Sequence, residues 1–277
     1  MSGTDRTSPT PRLDWSGDDS FVFGGVAFRI GVFTAAPSRP DRFVLGKPGW
    51  LLQEYLDLAT EFSGARVVEL GIAQGGSTAF FAELLRPAPL LALEIAEEPN
   101  AALAEFIAAR GYGVSVRTEY GVDQGDRARV EECVRRHFGD EPLDLVIDDA
   151  SHLLGPTIAS FEVLFPRLRP GGVFVLEDWS HGHTWERVLR SDARFGADLE
   201  TKLDAIPHSG RDLSRIVLAL TLAVGYDPDA VADIRVRNGF AIVRRGAATL
   251  DPETFSLSDS YGHIGHRLLS PNEGNLS

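Results

Sequence analysis

The sequence predicts an α/β fold: a mostly parallel sheet with helices on both faces. Three observations carry that expectation. From Arg66 to Asp178, short apolar runs alternate with stretches whose apolar residues recur at helical spacing. The apolar runs are continuous rather than two-residue alternations, as expected of strands buried on both faces. Asn238-Gly239 then separates two further strand-like runs, a strong hairpin signal.

The elements follow in order. Residues 1–18 are rich in Ser, Thr, Pro, Gly and Asp and read as a disordered tail. FVFGGVAFRIGVFT, within residues 19–48, reads as a small hairpin or lid, followed by a Pro-rich linker. A domain over 49–246 opens with the helix WLLQEYLDLATEF, in which Leu51, Leu52, Tyr55, Leu56, Ala59 and Phe62 share a face. RVVEL, LLALEI, GVSVR, LDLVID and GVFVLED are the predicted strands. STAFFAELLR, NAALAEFIAAR, DRARVEECVRRHF and PTIASFEVLFPRL are the helices between them. The alternation breaks after Asp178, so residues of about 179–215 read as a lid insertion containing the helix HTWERVLRSDARF and irregular chain over 196–210. RDLSRIVLALTLAVG is a further helix, apolar enough to bury a homodimer contact, and DIRVRNGFAIVRR is the hairpin. Residues 247–277 read as a loosely held polar tail.

Composition narrows the partners. The 277 residues carry 40 acidic and 27 basic side chains, a formal net charge of -13, which disfavours nucleic acid. No stretch has the length and apolarity of a membrane span or a signal peptide. Cys133 is the single cysteine, so an internal disulfide cannot form. A cytoplasmic protein with a buried structural thiol is expected.

In an open parallel sheet, ligands bind beyond the carboxyl ends of the strands. The first strand runs into ELGIAQGGST, where Gly71, Gly75 and Gly76 permit a tight turn before a helix. Alone this is a structural turn or a nucleotide loop with equal justice. The second strand ends near Glu94, able to accept hydrogen bonds from both ribose hydroxyls or simply to be a solvated loop glutamate. The third leads to Asp123 and Gln124, which suit an exocyclic amine or ring nitrogen. Three polar sites at three successive strand ends suggest a nucleoside-containing cofactor.

The fourth strand ends at Asp148-Asp149 with His152 close behind, and the fifth at Glu177-Asp178. Were these strands neighbours, Asp149, Glu177 and Asp178 could converge. Carboxylates so close repel each other unless a cation holds them, and an all-oxygen set suits Mg²⁺ or Mn²⁺. The alternative is helix capping or pairing with arginines; the convergence favours the cation. A histidine beside such a site can accept a proton from an acceptor hydroxyl. His181 and His183 have no evident partner.

VVELGIAQGGS, the acidic end of LALEI, VDQGD, DDASH and LEDW, in this order, resemble the class I S-adenosylmethionine-dependent methyltransferases. Among these they are similar to the metal-dependent sugar O-methyltransferases of the macrocin and mycinamicin type and to the cephalosporin hydroxylase-like proteins. The resemblance covers roughly residues 46–180. It implies a Rossmann-like sheet of seven strands in the order 3-2-1-4-5-7-6, closed by the C-terminal antiparallel hairpin. It places Glu69, Gly71, Gly75 and Ser77 around the methionine part of S-adenosylmethionine, and Glu94 on the ribose. Asp123 and Gln124 go to the adenine end. Asp148 is expected beside the cofactor, with a place behind the metal ligands or a role as a fourth ligand as the alternatives. Asp149, Glu177 and Asp178 would ligate Mg²⁺ (or Mn²⁺), with His152 as general base. Ala73 replaces a common glycine, Trp179 and Ser180 precede His181 where relatives bring a histidine sooner, and Lys47 lies where relatives bring a loop over the cofactor.

The function expected is Mg²⁺-dependent methyl transfer from S-adenosylmethionine to a hydroxyl of a sugar, glycoside or related secondary metabolite, without nucleic-acid or membrane partners. The alternatives are a binding protein that methylates nothing, an NAD-linked oxidoreductase and a metal-dependent hydrolase. Glu69, two residues before the first glycine, weighs against a dinucleotide pyrophosphate, which gains nothing from its charge.

Overall fold

The computed structural model describes residues 11–31, 36–191 and 213–269, with the side chains of Trp185 and Leu189 excepted. The expected irregular stretch 196–210 and the end of the tail lie outside them.

Strands β1 (Asp14–Trp15), β2 (Ser20–Phe23), β3 (Val26–Ile30) and β4 (Arg42–Leu45) form a small sheet in that order. The main sheet uses β5 (Val67–Leu70), β6 (Leu90–Leu93), β7 (Val116–Glu119), β8 (Leu143–Asp148), β9 (Leu168–Glu177), β10 (Val231–Arg237) and β11 (Phe240–Arg245). Its order is β10-β11-β9-β8-β5-β6-β7. In sheet numbering that is 3-2-1-4-5-7-6, as expected. β9–β11 and β10–β11 are antiparallel, and β5–β6, β6–β7 and β8–β9 are parallel. The chain divides into two compact units at Val122/Asp123.

In the first unit, helices α1 (Gly49–Phe62), α2 (Gly76–Leu85) and α3 (Ala101–Ala109) follow the small sheet and separate the strands. The expected hairpin is β2–β3, turning at Gly24-Gly25, both at positive φ. β1 lies inside the stretch expected to be disordered and pairs Trp15 with Phe21. Phe21, Phe28 and Phe80 form an edge-to-face and stacked cluster. Gly76 allows β4 against the start of α2, since a Cβ there would lie 2.0 Å from the Val44 carbonyl oxygen. Lys47 is buried, its ammonium 5.7 Å from the Tyr55 ring centre and 5.8 Å from that of Phe81.

In the second unit, α4 (Arg127–Phe138) and α5 (Leu154–Leu164) flank β8, and α6 (His181–Ser191) follows β9. Helix α7 (Ser214–Tyr226) precedes the hairpin, and α8 (Gly262–Leu269) closes the described chain. Cys133 is fully buried on α4, as expected of a structural thiol. The polar tail differs from expectation: Leu257 and Ser260 are buried, and the Glu162 carboxylate accepts from the Leu257 N–H at 2.8 Å and the Ser256 hydroxyl at 3.0 Å. Composition cannot report such an anchor, because it lies on a distant helix. Among the described residues, no helix is long and apolar enough to cross a membrane.

Candidate active site

In the first unit, β5 ends on two residues that turn the chain. Glu69 is buried and accepts from the Thr78 hydroxyl at 2.6 Å, tying the strand to the first turn of α2. Gly71 (φ 93°) and Gly75 (φ 80°) take the left-handed conformation that favours glycine. Ala73 takes it too, at φ 45°, where the resemblance expected a glycine. Its small side chain is accommodated at some cost in backbone strain. Ser77 is half-buried in the first turn of α2.

Glu94 follows the end of β6 and holds this loop. Its Oε2 accepts from the N–H groups of Ile72 (2.8 Å) and Ala73 (2.7 Å), and its Oε1 from Ala96 N–H (3.0 Å). The residue expected on the ribose thus shapes the glycine-rich turn. Asn100 adds a cap on α3 and a bond from its amide to the Ala73 carbonyl.

In the second unit, β8 and β9 are parallel neighbours, with Asp148 opposite Leu176. Each ends in a buried acid followed by a more exposed one. Asp148 and Glu177 are 2% and 3% exposed, whereas Asp149 is half-buried and Asp178 exposed. Successive side chains on a strand point to opposite sides, and the left-handed φ of Asp178 (52°) redirects the chain. The result is a cluster of Asp149, His152 and Asp178 whose ligand atoms all lie within 4.8 Å of one another. His152 Nε2 is 3.6 Å from Asp178 Oδ2 and 3.9 Å from Asp149 Oδ1. His152 itself sits at φ 54°. Of the expected ligands, Glu177 is not in this cluster, and His152 is.

Two ligands on one Mg²⁺ are at most ~4.2 Å apart, given bonds of ~2.1 Å. The cluster therefore fits a divalent cation after a closing movement of about half an ångström. The ring of His181 stacks on that of His152, centroids 5.4 Å apart at 25°. Burial, and secondarily the neighbouring His152, lower the pKa of His181 against the opposing pull of Asp178. His183 lies apart from this group, with Nε2 3.2 Å from the Ser214 hydroxyl.

Gln124 was expected at the adenine end and Asp148 beside the cofactor; the structure turns both inward. Gln124 Nε2 donates to Asp148 Oδ1 (3.1 Å), Asp148 Oδ2 (3.0 Å) and Ser160 Oγ (3.1 Å), and its Oε1 accepts from Ser151 N–H (2.8 Å). Burial pushes the Asp148 carboxyl up to about 6, against the lowering by Gln124. Asp123 is exposed, and its Oδ1 accepts from Gly125 N–H at 2.8 Å. Ser160 carries no sequence signal; it is one more hydroxyl in a helix until the fold sets it beside Asp148. The hairpin turn, expected at Asn238-Gly239, meets the end of β9. Asp178 N–H donates to Gly239 O (2.7 Å), and the Trp179 indole to Arg237 O (2.8 Å).

Residues 68–179 match the family described as a methyltransferase domain. That stretch runs from β5 past Asp178 and contains Asp149, His152 and Asp178. The class I methyltransferase resemblance, drawn from motifs inside the same stretch, agrees with it. Over 108 residues the chain is 33% identical to the 8-demethyl-8-alpha-L-rhamnosyl tetracenomycin-C 2'-O-methyltransferase of Streptomyces olivaceus, covering 32% of this chain and 29% of that protein. It is 31% identical over 152 residues to the mycinamicin VI 2''-O-methyltransferase of Micromonospora griseorubida, covering 49% and 36% respectively. The chain thus spans about a third of the length of these curated relatives. A solved structure of the MycE methyltransferase from the mycinamycin biosynthetic pathway, in complex with Mg and SAH, aligns with a TM-score of 0.47 at 25% identity, covering 70% of this chain and 48% of that one.

Proposed function

We propose that this chain is an O-methyltransferase that moves a methyl group from S-adenosylmethionine to a hydroxyl of a sugar carried by a natural product, assisted by a divalent cation. The observation that carries the proposal is the Asp149, His152 and Asp178 cluster at the ends of adjacent strands, inside a stretch that matches a methyltransferase domain. The sugar class rests on the matched relatives, whose names specify rhamnosyl tetracenomycin and mycinamicin methylation. A single thiol, Cys133, suits action in the reducing cytoplasm.

The roles divide by residue. Gly71, Gly75, Ser77 and Glu69 would receive the methionine part of the cofactor, Glu94 the ribose and Asp123 the adenine end. Asp149 and Asp178 would hold the cation, with Glu177 buried next to Asp178. A bound cation would act as a Lewis acid that lowers the pKa of the acceptor hydroxyl, and the sulfonium cofactor would supply the methyl group. His152, with Nε2 3.6 Å from Asp178 Oδ2 and 3.9 Å from Asp149 Oδ1, would receive the hydroxyl proton at Nε2. The rest is alignment of two reactants, which can be worth ~7 kcal/mol or more of barrier.

Calorimetric titration of S-adenosylmethionine and S-adenosylhomocysteine, with Mg²⁺ and after chelation, tests the reading. Micromolar binding, with methyl transfer to a rhamnosylated acceptor that Asp178→Asn abolishes, is the expected result. Failure of either cofactor to bind under both conditions overturns it and turns attention to metal-dependent hydrolysis.

A further inference from the structure

The chain between β8 and α5 has to do something unfavourable. Within four residues it must bring Asp149 and His152 to one point, and it does so with His152 at φ 54°, a conformation that L-residues with a Cβ avoid. Such a turn persists only where its surroundings hold it.

The restraint lies one layer below. Gln124 is 5% exposed, Asp148 2% and Ser160 fully buried. The Gln124 amide uses both ends: Nε2 donates to the Asp148 carboxylate and to Ser160 Oγ, and Oε1 accepts from the backbone of Ser151. The single Ser160 hydroxyl proton is shared between Asp148 Oδ2 (3.3 Å) and the Thr157 carbonyl (3.1 Å), tying the group to α5. Ala150 N–H points back to Asp148 Oδ1 at 3.4 Å. One side chain therefore bridges the residue before Asp149 and the residue before His152. A glutamine has the two opposed functions this bridge requires: a donor toward the carboxylate and an acceptor toward the N–H. An alanine has neither.

We propose that Gln124 is a positioning residue, which through Asp148, Ser160 and the Ser151 N–H sets Asp149 and His152 in their places in the cation cluster. This rests on the reading of that cluster as a cation site. It also assigns Gln124 away from the cofactor. Partners that orient metal ligands typically influence affinity by 10–100-fold when removed, and that is the size of effect expected.

The test uses the full chain and Mn²⁺ alone as the probe, followed by electron paramagnetic resonance. In wild type, Mn²⁺ binds and the free-ion signal falls. In Gln124→Ala, with an unchanged circular dichroism spectrum, the Mn²⁺ dissociation constant rises at least tenfold while that of S-adenosylhomocysteine stays within twofold. Ser160→Ala, which removes one hydroxyl and leaves the bridge to Ser151, gives a smaller rise of the same sign and covers the case in which Gln124→Ala fails to fold. Unchanged Mn²⁺ affinity in a folded variant overturns the proposal but leaves the cation site standing. Weakened S-adenosylhomocysteine binding with unchanged Mn²⁺ affinity overturns it in favour of a cofactor contact. A wild type that does not bind Mn²⁺ overturns the proposal and the cation reading together.

Discussion

Replacing Glu94 is the most informative perturbation of the first unit, because its carboxylate holds the glycine-rich loop through three backbone N–H groups. In Glu94→Ala all three bonds go. Ala73 and Ala96 are exposed, so their N–H groups turn to water and cost little. Ile72 is 1% exposed, and a buried donor left without its acceptor costs about 1–3 kcal/mol. Adding the net worth of the charge-assisted bonds, a total loss of about 3 kcal/mol is expected. For a chain of this size that corresponds to a melting point lower by roughly 6–12 °C. Glu94→Gln keeps an oxygen for Ile72 and Ala73, with neutral bonds about half as strong, and should lose only about 1 kcal/mol. Thermal unfolding by circular dichroism ranks the three proteins, and calorimetry with S-adenosylhomocysteine should show at least a tenfold loss of affinity for Glu94→Ala. If both variants melt within a degree of wild type, Glu94 does not organise the loop and the reasoning fails.

Two other outcomes follow from packing and burial. Gly76→Ala would drive a Cβ into the Val44 backbone, so urea unfolding should show a loss of about 1–3 kcal/mol or more, whereas Gly113→Ala, with nothing within 4 Å, serves as the neutral control. Because burial raises the Asp148 carboxyl to about 6, the folded state binds that proton more tightly than the unfolded chain. Its stabilising contribution is present below about pH 4 and is lost as pH rises through 6, by about 3 kcal/mol in all. With chelator present, the stability of wild type relative to Asp148→Asn should fall across that window; a flat difference from pH 4 to pH 7 would rule the shift out.

Much of the fold was legible because buried strands and amphipathic helices carry local signals. The runs RVVEL, LLALEI and LDLVID became β5, β6 and β8 to within a residue or two. Asn238-Gly239 marked the β10–β11 turn because its geometry demands a residue that tolerates positive φ. Strand ends pointed to Asp149, Glu177 and Asp178 with His152 beside them, since ligands gather at the carboxyl edge of a parallel sheet, but Glu177 is not in the cluster that the structure forms. GVSVR begins three residues before β7, and among the described residues Trp15 and Leu257 are anchored where loose chain was expected. Turn-rich composition says nothing of the distant partners, such as Phe21 for Trp15 and Glu162 for Leu257, that anchor them.

By itself, then, the sequence determined the alternation of elements, the hairpin and the set of acids and histidine from which a site could be drawn. Only the tertiary structure decided how that set divides. Asp148 and Asp149 are chemically identical neighbours, as Glu177 and Asp178 nearly are, yet strand geometry buries the first of each pair and sends the second to the cluster. It also turned Gln124 toward Asp148 and set Ser160 beneath both. The reason is physical: a residue type states which hydrogen bonds and charges are available, but which of them meet depends on backbone direction and on partners remote in the chain.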